Sequence, residues 1–213
     1  HHASGVRLIS LALSAPFEFH AGQYLNVVHP NGVRIPMSIA SAPERLPELE
    51  LHYRPLPGVA EAVLMNELLE AGTEIKIEGR LGDVHVGGPL NENLLLIAGG
   101  SGISQCRAIV EHLRCVEHSG DVTLVWSVTQ PDHLYADTEL RTFARWLDYQ
   151  PIVDTPQAKS ATLAWLRTNP LPTSGRIVVS GSPGFVHAVV DTLNELGASG
   201  ITIESDVFSY APR

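Results

Sequence analysis

The sequence predicts two domains of different class: an antiparallel β barrel over residues 1–90, then a parallel-sheet α/β domain over residues 91–213. Two observations carry this reading. Before residue 90 the chain reads as short strands cut by turns; after it, apolar strands alternate with amphipathic helices. A third comes from the junction, where the apolar run Leu94–Ala98 enters a glycine cluster and then a helical pattern.

In the first half, Leu49, Leu51 and Tyr53 alternate with Glu50 and His52, the pattern of a half-buried strand. Ile75 and Ile77 alternate with Lys76 and Glu78 in the same way. Residues 24–29 and 37–41 are further strand candidates. Turn signals separate them at Pro30-Asn31-Gly32, Ala42-Pro43 and Pro55 to Gly58. One helix is expected from about Val59 to Glu70, ended by Gly72. In the second half, strands are expected at 94–98, 122–128, 150–153, 177–180 and 201–204. Helical spacing links Ile103, Ile109, Val110 and Leu113; Leu140, Phe143, Trp146 and Leu147; and Val186, Val189, Val190 and Leu193. A sheet of this kind binds ligands beyond the carboxyl ends of its strands.

Composition narrows the function. The net charge is -9 and no basic cluster appears, which argues against a nucleic-acid partner. No apolar run reaches the length of a membrane span, so no membrane insertion and a cytoplasmic location are expected. The two cysteines, Cys106 and Cys115, are too few for an iron–sulfur cluster or a cysteine-type zinc site. Both are expected as buried free thiols on one helix. The ten histidines are scattered without metal spacing. Trp126, Trp146 and Trp165 fit packing better than a ligand box.

The run Gly99-Gly100-Ser101-Gly102-Ile103-Ser104 is either a candidate anion site or a tight strand-to-helix turn with no ligand. Glycines allow close backbone approach, and the helix start that follows offers free N–H groups. It is not the common dinucleotide fingerprint, because the next strand ends Ser127-Val128-Thr129-Gln130 without an acid.

Several motifs, in order, resemble the ferredoxin–NADP reductase superfamily, in particular bacterial flavin reductases and oxygenase reductases. They are Ala21-Gly22-Gln23-Tyr24, Ser38-Ile39-Ala40-Ser41, Gly79-Arg80-Leu81-Gly82-Asp83, the glycine run itself, His133-Leu134-Tyr135, Ser180-Gly181-Ser182-Pro183 and Ser205-Asp206-Val207-Phe208. The resemblance spans the chain from about Arg7, although the family's first barrel strand usually begins before Val6. It implies a Greek-key flavin-binding barrel followed by an NAD(P)H-binding domain. It also implies transfer of hydride from NADH or NADPH to FAD or FMN, with alignment of the two rings as the protein's main task.

Carried over residue by residue, the resemblance assigns the flavin to Arg34, Pro36, Met37, Ser38, Ile39, Ala40 and Ser41. It assigns the pyridine nucleotide to Gly99, Gly100, Ser101, Gly102, Ile103, Gly181, Ser182 and Pro183. Ser38, Ser180 and Asp206 are the expected catalytic positions: Ser38 for the reactive flavin nitrogen, Ser180 for the nicotinamide, and Asp206 for an acid close to the flavin, with a solvated acid as the alternative reading of Asp206. The chain departs from the family at its flavin motif. The family's arginine falls on Ile35 and its aromatic on Met37; Arg34 lies one residue off. Ser180 stands where cysteine is usual. Two readings follow: a flavin held loosely as a substrate, or a catalytically silent nucleotide-binding or regulatory module that lost the flavin. On the first, electrons leave through free flavin or a separate electron-acceptor protein. NADH is expected over NADPH, because Ser127 to His133 holds no Arg or Lys for a 2′-phosphate.

Overall fold

A computed structural model describes residues 5–72, 74–88, 91–155 and 160–212. Its first half is antiparallel. Strand β1 (Arg7–Ala12) pairs with β4 (Glu48–Tyr53), and β2 (Tyr24–Val28) is flanked by β3 (Arg34–Ser38) and β5 (Lys76–Leu81). An isolated bridge between Ile39 and Leu51 and the bond from Ala40 N–H to Glu50 O, 2.8 Å, join the two small sheets. Among the described residues β1 and β5 are not paired; a cavity of about 750 Å³ lies between them. Helix α1 (Ala60–Ala71) covers the barrel and ends on Gly72, whose φ of 61° only glycine adopts freely.

Pattern explains most of these elements. Inward residues Leu25, Val27, Ile35, Met37, Leu49 and Leu51 close one apolar core with Met65 and Leu68 of α1. Each such side chain contributes roughly 1.5–3 kcal/mol by leaving water. The strand expected at 37–41 lies earlier, at Arg34–Ser38. Its Pro36 lacks an N–H, which is tolerable because, among the described residues, β3 pairs only with β2 and forms an edge.

The second half is a parallel five-stranded sheet in the order β10-β9-β6-β7-β8. The strands are β6 (Leu94–Gly99), β7 (Val122–Val128), β8 (Leu147–Val153), β9 (Arg176–Ser180) and β10 (Thr202–Glu204). Both faces are covered. Along β6, Leu94, Leu96 and Ala98 pack toward α2 (Ile103–Cys115), while Leu95 and Ile97 pack toward α4 (Ala161–Thr168) and α5 (Pro183–Glu195). The chain leaves β6 in one direction and reaches β9 in the other, so the order reverses between them. That is the switch point at which such sheets open a crevice. The expected domain boundary at residue 90 lies outside the described residues.

Two expectations need correction. The helical spacing from Leu140 to Leu147 yields only α3 (Asp137–Arg141), followed by tight turns, and Leu147 already begins β8. Leu140, Phe143 and Leu147 are still buried, so the pattern recorded burial and not a helix. Cys106 is buried, but Cys115, at the last turn of α2, is exposed. Among the described residues no helix is long and apolar enough to cross a membrane.

Candidate active site

The barrel and the sheet meet at the switch point, and two adjoining cavities open there. The first, about 340 Å³, is walled by Met37 and Ser38 on one side and by Ser101, Gly102, Ser180 and Gly181 on the other. The C-terminal segment, with Asp206 and Tyr210 beside the short helix α6 (Val207–Tyr210), closes a third side. The second, about 430 Å³, shares Pro36, Met37, Ser38 and Ser101 with the first and runs along the barrel to the start of α1. Together they form one trough divided at Met37–Ser38.

The glycine loop is shaped by contacts that the sequence did not announce. Gly100 has φ 55°, a left-handed conformation, and nothing lies within 4 Å of where its Cβ would be. Its carbonyl is held away by Trp126, whose indole Nε1–H donates to it at 2.9 Å. A Cβ at Gly102 would collide with the Ser180 carbonyl. Glycine there lets the start of α2 abut the end of β9, which brings Ser101 and Ser180 to one cavity. Ser104 Oγ–H donates to Ser101 O at 3.0 Å and ties down the turn. A backbone concavity of this kind, open toward solvent at a helix start, fits a pyrophosphate.

At the other wall, Asp206 is half-buried against Tyr24 and Gly82. Burial pushes its carboxyl up, to about 6, and the neighbouring Asp83 and Glu204 carboxylates add to this; hydrogen bonds from the Gln105 side chain and the Val84 backbone oppose it. Gln105 is itself buried. Its Nε2 donates to Asp206 Oδ2 at 2.8 Å and to Gly22 O at 2.8 Å, so α2, the barrel and the C-terminal segment meet at one amide.

Behind the second cavity lies a buried polar network. His52 Nδ1 meets the Tyr135 hydroxyl at 2.9 Å, and His52 Nε2 meets Glu50 at 2.7 Å. The Arg107 guanidinium contacts Glu50 at 3.4 Å and Glu139 at 2.8 Å, and donates to Ala40 O. Burial works against the Glu50 carboxylate, but the His52 hydrogen bond and the Arg107 and Arg45 charges bring it down to about 2. Burial raises the Tyr135 phenol.

The expected site residues divide into two groups. Pro36, Met37, Ser38, Ser101, Gly102, Ser180, Gly181 and Asp206 line the trough. Gly99, Gly100, Ile103, Ser182 and Pro183 shape the loops beneath it but line neither cavity; Ser182 and Pro183 begin α5. Ile39 and Ala40 are fully buried, and Ser41 Oγ accepts from Glu50 N–H, so these three anchor β3 to β4. Arg34 faces away. Strand alternation turns it from the side of Ile35 to the outer surface, where it pairs with Glu78 at 2.9 Å. The sequence reading missed Tyr24, Arg54, Glu61, Gln105 and Tyr210, all of which line the trough. Tyr24 sat in a quoted motif; the other four carried no local signal. The structure also brings a cation toward the end of β7 that the local sequence lacks: Arg54 Nη2 lies 3.4 Å from His133 Nε2.

Comparison with known proteins agrees with this geometry. Residues 96–167 match the family model of the oxidoreductase NAD-binding domain. The chain is 38% identical over 137 residues to an NAD(P)H-flavin reductase of Vibrio harveyi, covering 62% of this chain and 58% of that protein. It is 26% identical over 212 residues to the ferredoxin–NAD(P)+ reductase component of the naphthalene 1,2-dioxygenase system of Pseudomonas putida, covering 95% of this chain and 64% of the other. Among solved structures, the Amycolatopsis cytochrome P450 reductase GcoB superposes with a TM-score of 0.78 at 26% identity, over 97% of this chain and 66% of that one. The chain spans less than two thirds of the length of the curated relatives it matches, and about a third of one of them. The resemblance to the ferredoxin–NADP reductase superfamily holds in both sequence and fold.

Proposed function

We propose that the chain is an NAD(P)H-dependent oxidoreductase that passes a hydride from the nicotinamide to a flavin, as a flavin reductase or as the reductase part of an oxygenase system. The division of labour follows the two halves, with residues 1–90 for the flavin and 91–213 for the pyridine nucleotide. The observation that carries this reading is the first cavity. It sets Ser38 of the barrel opposite Ser180 and Gly181 of the sheet, beside a glycine loop suited to a pyrophosphate.

The two cofactors, when bound, supply the redox chemistry; the protein supplies alignment and exclusion of water. Ser101, Gly102 and the start of α2 hold the nucleotide's phosphates, and Ser180 and Gly181 form the floor under its nicotinamide. Met37 gives the flavin ring a soft apolar contact, and the Ser38 hydroxyl meets its edge. Asp206, with a carboxyl raised to about 6, is among the described residues the one acid on the wall of the first cavity and holds a proton there in mildly acidic solution. The trough fits a flavin ring. It offers no arginine at Ile35, the position at which the family's flavin motif carries one, and the flavin is a loosely bound substrate or exchanging cofactor. Electrons then leave on free flavin or through a separate electron-acceptor protein.

Oxidation of NADH by the purified protein, with and without added riboflavin, FMN or FAD, tests the reading. Flavin-stimulated turnover is expected. Nucleotide binding without turnover, in the presence of any flavin, would favour the silent-module reading in its place.

A further inference from the structure

The motif His133-Leu134-Tyr135 lines neither cavity, yet its tyrosine stands where the two halves meet. Tyr135 lies in the turn between β7 and α3. Its hydroxyl meets Nδ1 of His52, on β4 of the barrel, at 2.9 Å, and the two rings stand edge to face with centroids 5.2 Å apart. The direction of this bond follows from the acid behind it. Glu50, with its carboxyl down at about 2, is a carboxylate and only accepts, so the hydrogen between the two belongs to His52 Nε2. The neutral imidazole then presents a bare Nδ1, which accepts from the Tyr135 O–H. Burial raises the Tyr135 phenol, so it keeps that hydrogen in neutral solution.

The other side of Tyr135 faces the glycine loop. Its ring stands edge-on to Trp126, with centroids 5.3 Å apart, and Trp126 Nε1–H donates to Gly100 O at 2.9 Å. The phenol also meets the Ser104 hydroxyl, and Ser104 donates to Ser101 O at 3.0 Å. Two successive residues of the loop, Gly100 and Ser101, are thus held by side chains that touch Tyr135. On the barrel, Ala40 N–H donates to Glu50 O and Ile39 bridges Leu51, which ties β4 to the residues directly after Ser38. An unbroken path of contacts runs from the loop to the strand that carries Ser38.

We propose that Tyr135 is a positioning residue: through His52 it fixes the glycine loop against the barrel, so that a nucleotide seated on the loop lies at a set distance from Ser38. This rests on the flavin-reductase reading above and adds a residue to that same site. Hydride transfer depends steeply on the separation of the reacting rings, and a displacement of about 1 Å costs up to about a hundredfold in rate. Binding depends on the loop itself, which Trp126 and Ser104 still hold when the phenol oxygen is gone.

Tyr135→Phe removes that oxygen and keeps the ring on Trp126. Rapid mixing of saturating NADH with the protein and FMN, FAD or riboflavin gives a first-order rate constant of flavin reduction, which a smaller folded fraction does not change. It is expected to fall about tenfold, with half-saturation by NADH within about twofold of the parent. His52→Ala cuts the same bond from the barrel side and carries the same measurements if Tyr135→Phe does not fold. The double variant should lose no more than about twofold beyond the larger single loss. An unchanged rate constant in a folded single variant overturns the proposal, and so do losses that simply multiply. Hydrogen exchange with NADH and no flavin reads the coupling without turnover. In the parent, NADH should protect residues 99–105 and also residues 48–53; in Tyr135→Phe the first protection should persist and the second should weaken. Loop protection with the same response at 48–53 in parent and variant overturns the proposal alone. No protection at 99–105 in the parent removes the nucleotide site and the proposal with it. Coupled protection without flavin reduction removes the reductase reading and leaves the positioning of the loop standing.

Discussion

At the scale of single residues, Asp206 shows how a site can work against the fold that carries it. A raised folded-state pKa means that the native state favours the protonated acid. Between the ordinary value of 3.8 and about 6 the native state therefore binds more protons than the unfolded chain. Stability must fall as pH rises through that window, and the loss is complete above it. The group is partly open to solvent, so the loss is about 1 kcal/mol after screening. Asp206→Asn keeps an oxygen to accept from Gln105 and removes the charge. The variant should be more stable than the parent by about 1 kcal/mol near pH 8 in denaturant titrations. The two should converge below about pH 4. A variant less stable than the parent near pH 8, with the two still converging below about pH 4, would mean that the carboxylate, and not its neutral form, is what the fold prefers.

At the scale of elements, helix α2 does most to join the halves. It starts at the glycine loop and sends Gln105 to the barrel and the C-terminal segment. Arg107, two residues along and so on the other side of the helix, goes to Ala40, Glu50 and Glu139. Removing a buried cation leaves its partners unpaired, so Arg107→Ala should cost about 3–5 kcal/mol in chemical denaturation. It should also alter the acid limb. In the parent, the lowered Glu50 pKa gives stability that is present above 4.5 and lost as pH falls toward about 2. Without Arg107 that contribution shrinks, and the variant should show a weaker pH dependence across the same window. Loss of less than about 1 kcal/mol would mean that water replaces the guanidinium. These contacts also mark what was legible in the sequence. The strand, glycine loop and helix start are local, so residues 94–113 could be read directly. The partners of α2 could not: Gln105 and Asp206 are 101 positions apart, Arg107 and Ala40 are 67 apart, and His52 and Tyr135 are 83 apart. No spacing rule reaches across such distances. The shortened α3 failed for another reason. Leu140, Phe143 and Leu147 are buried at helical spacing in a chain that turns tightly and enters β8, and periodicity reports burial before it reports backbone.

At the scale of the whole molecule, the two fold classes were legible because each repeats its signal over many residues, alternation in one half and strand–helix succession in the other. The cleft between them was legible only as a place, the carboxyl edge of a parallel sheet; its charge was not. That charge poses a problem for an anionic nucleotide. The chain carries a net charge of -9, and Arg54 is the only arginine or lysine, among the described residues, on the trough wall. A nucleotide therefore approaches against a repulsive field and is drawn in only at short range. Salt screens the long-range part first, since the Debye length falls to about 10 Å at 0.1 M. Raising ionic strength from about 0.01 M to about 0.15 M should thus increase kcat/KM for NADH, by about twofold, where an enzyme with a cationic funnel would lose activity. Arg54→Ala removes the short-range attraction and leaves the long-range repulsion. Its KM for NADH should rise at every salt concentration, while the increase of kcat/KM with salt persists or steepens. A decrease with salt in the parent protein that disappears in Arg54→Ala would mean that this one guanidinium outweighs the field of the whole surface.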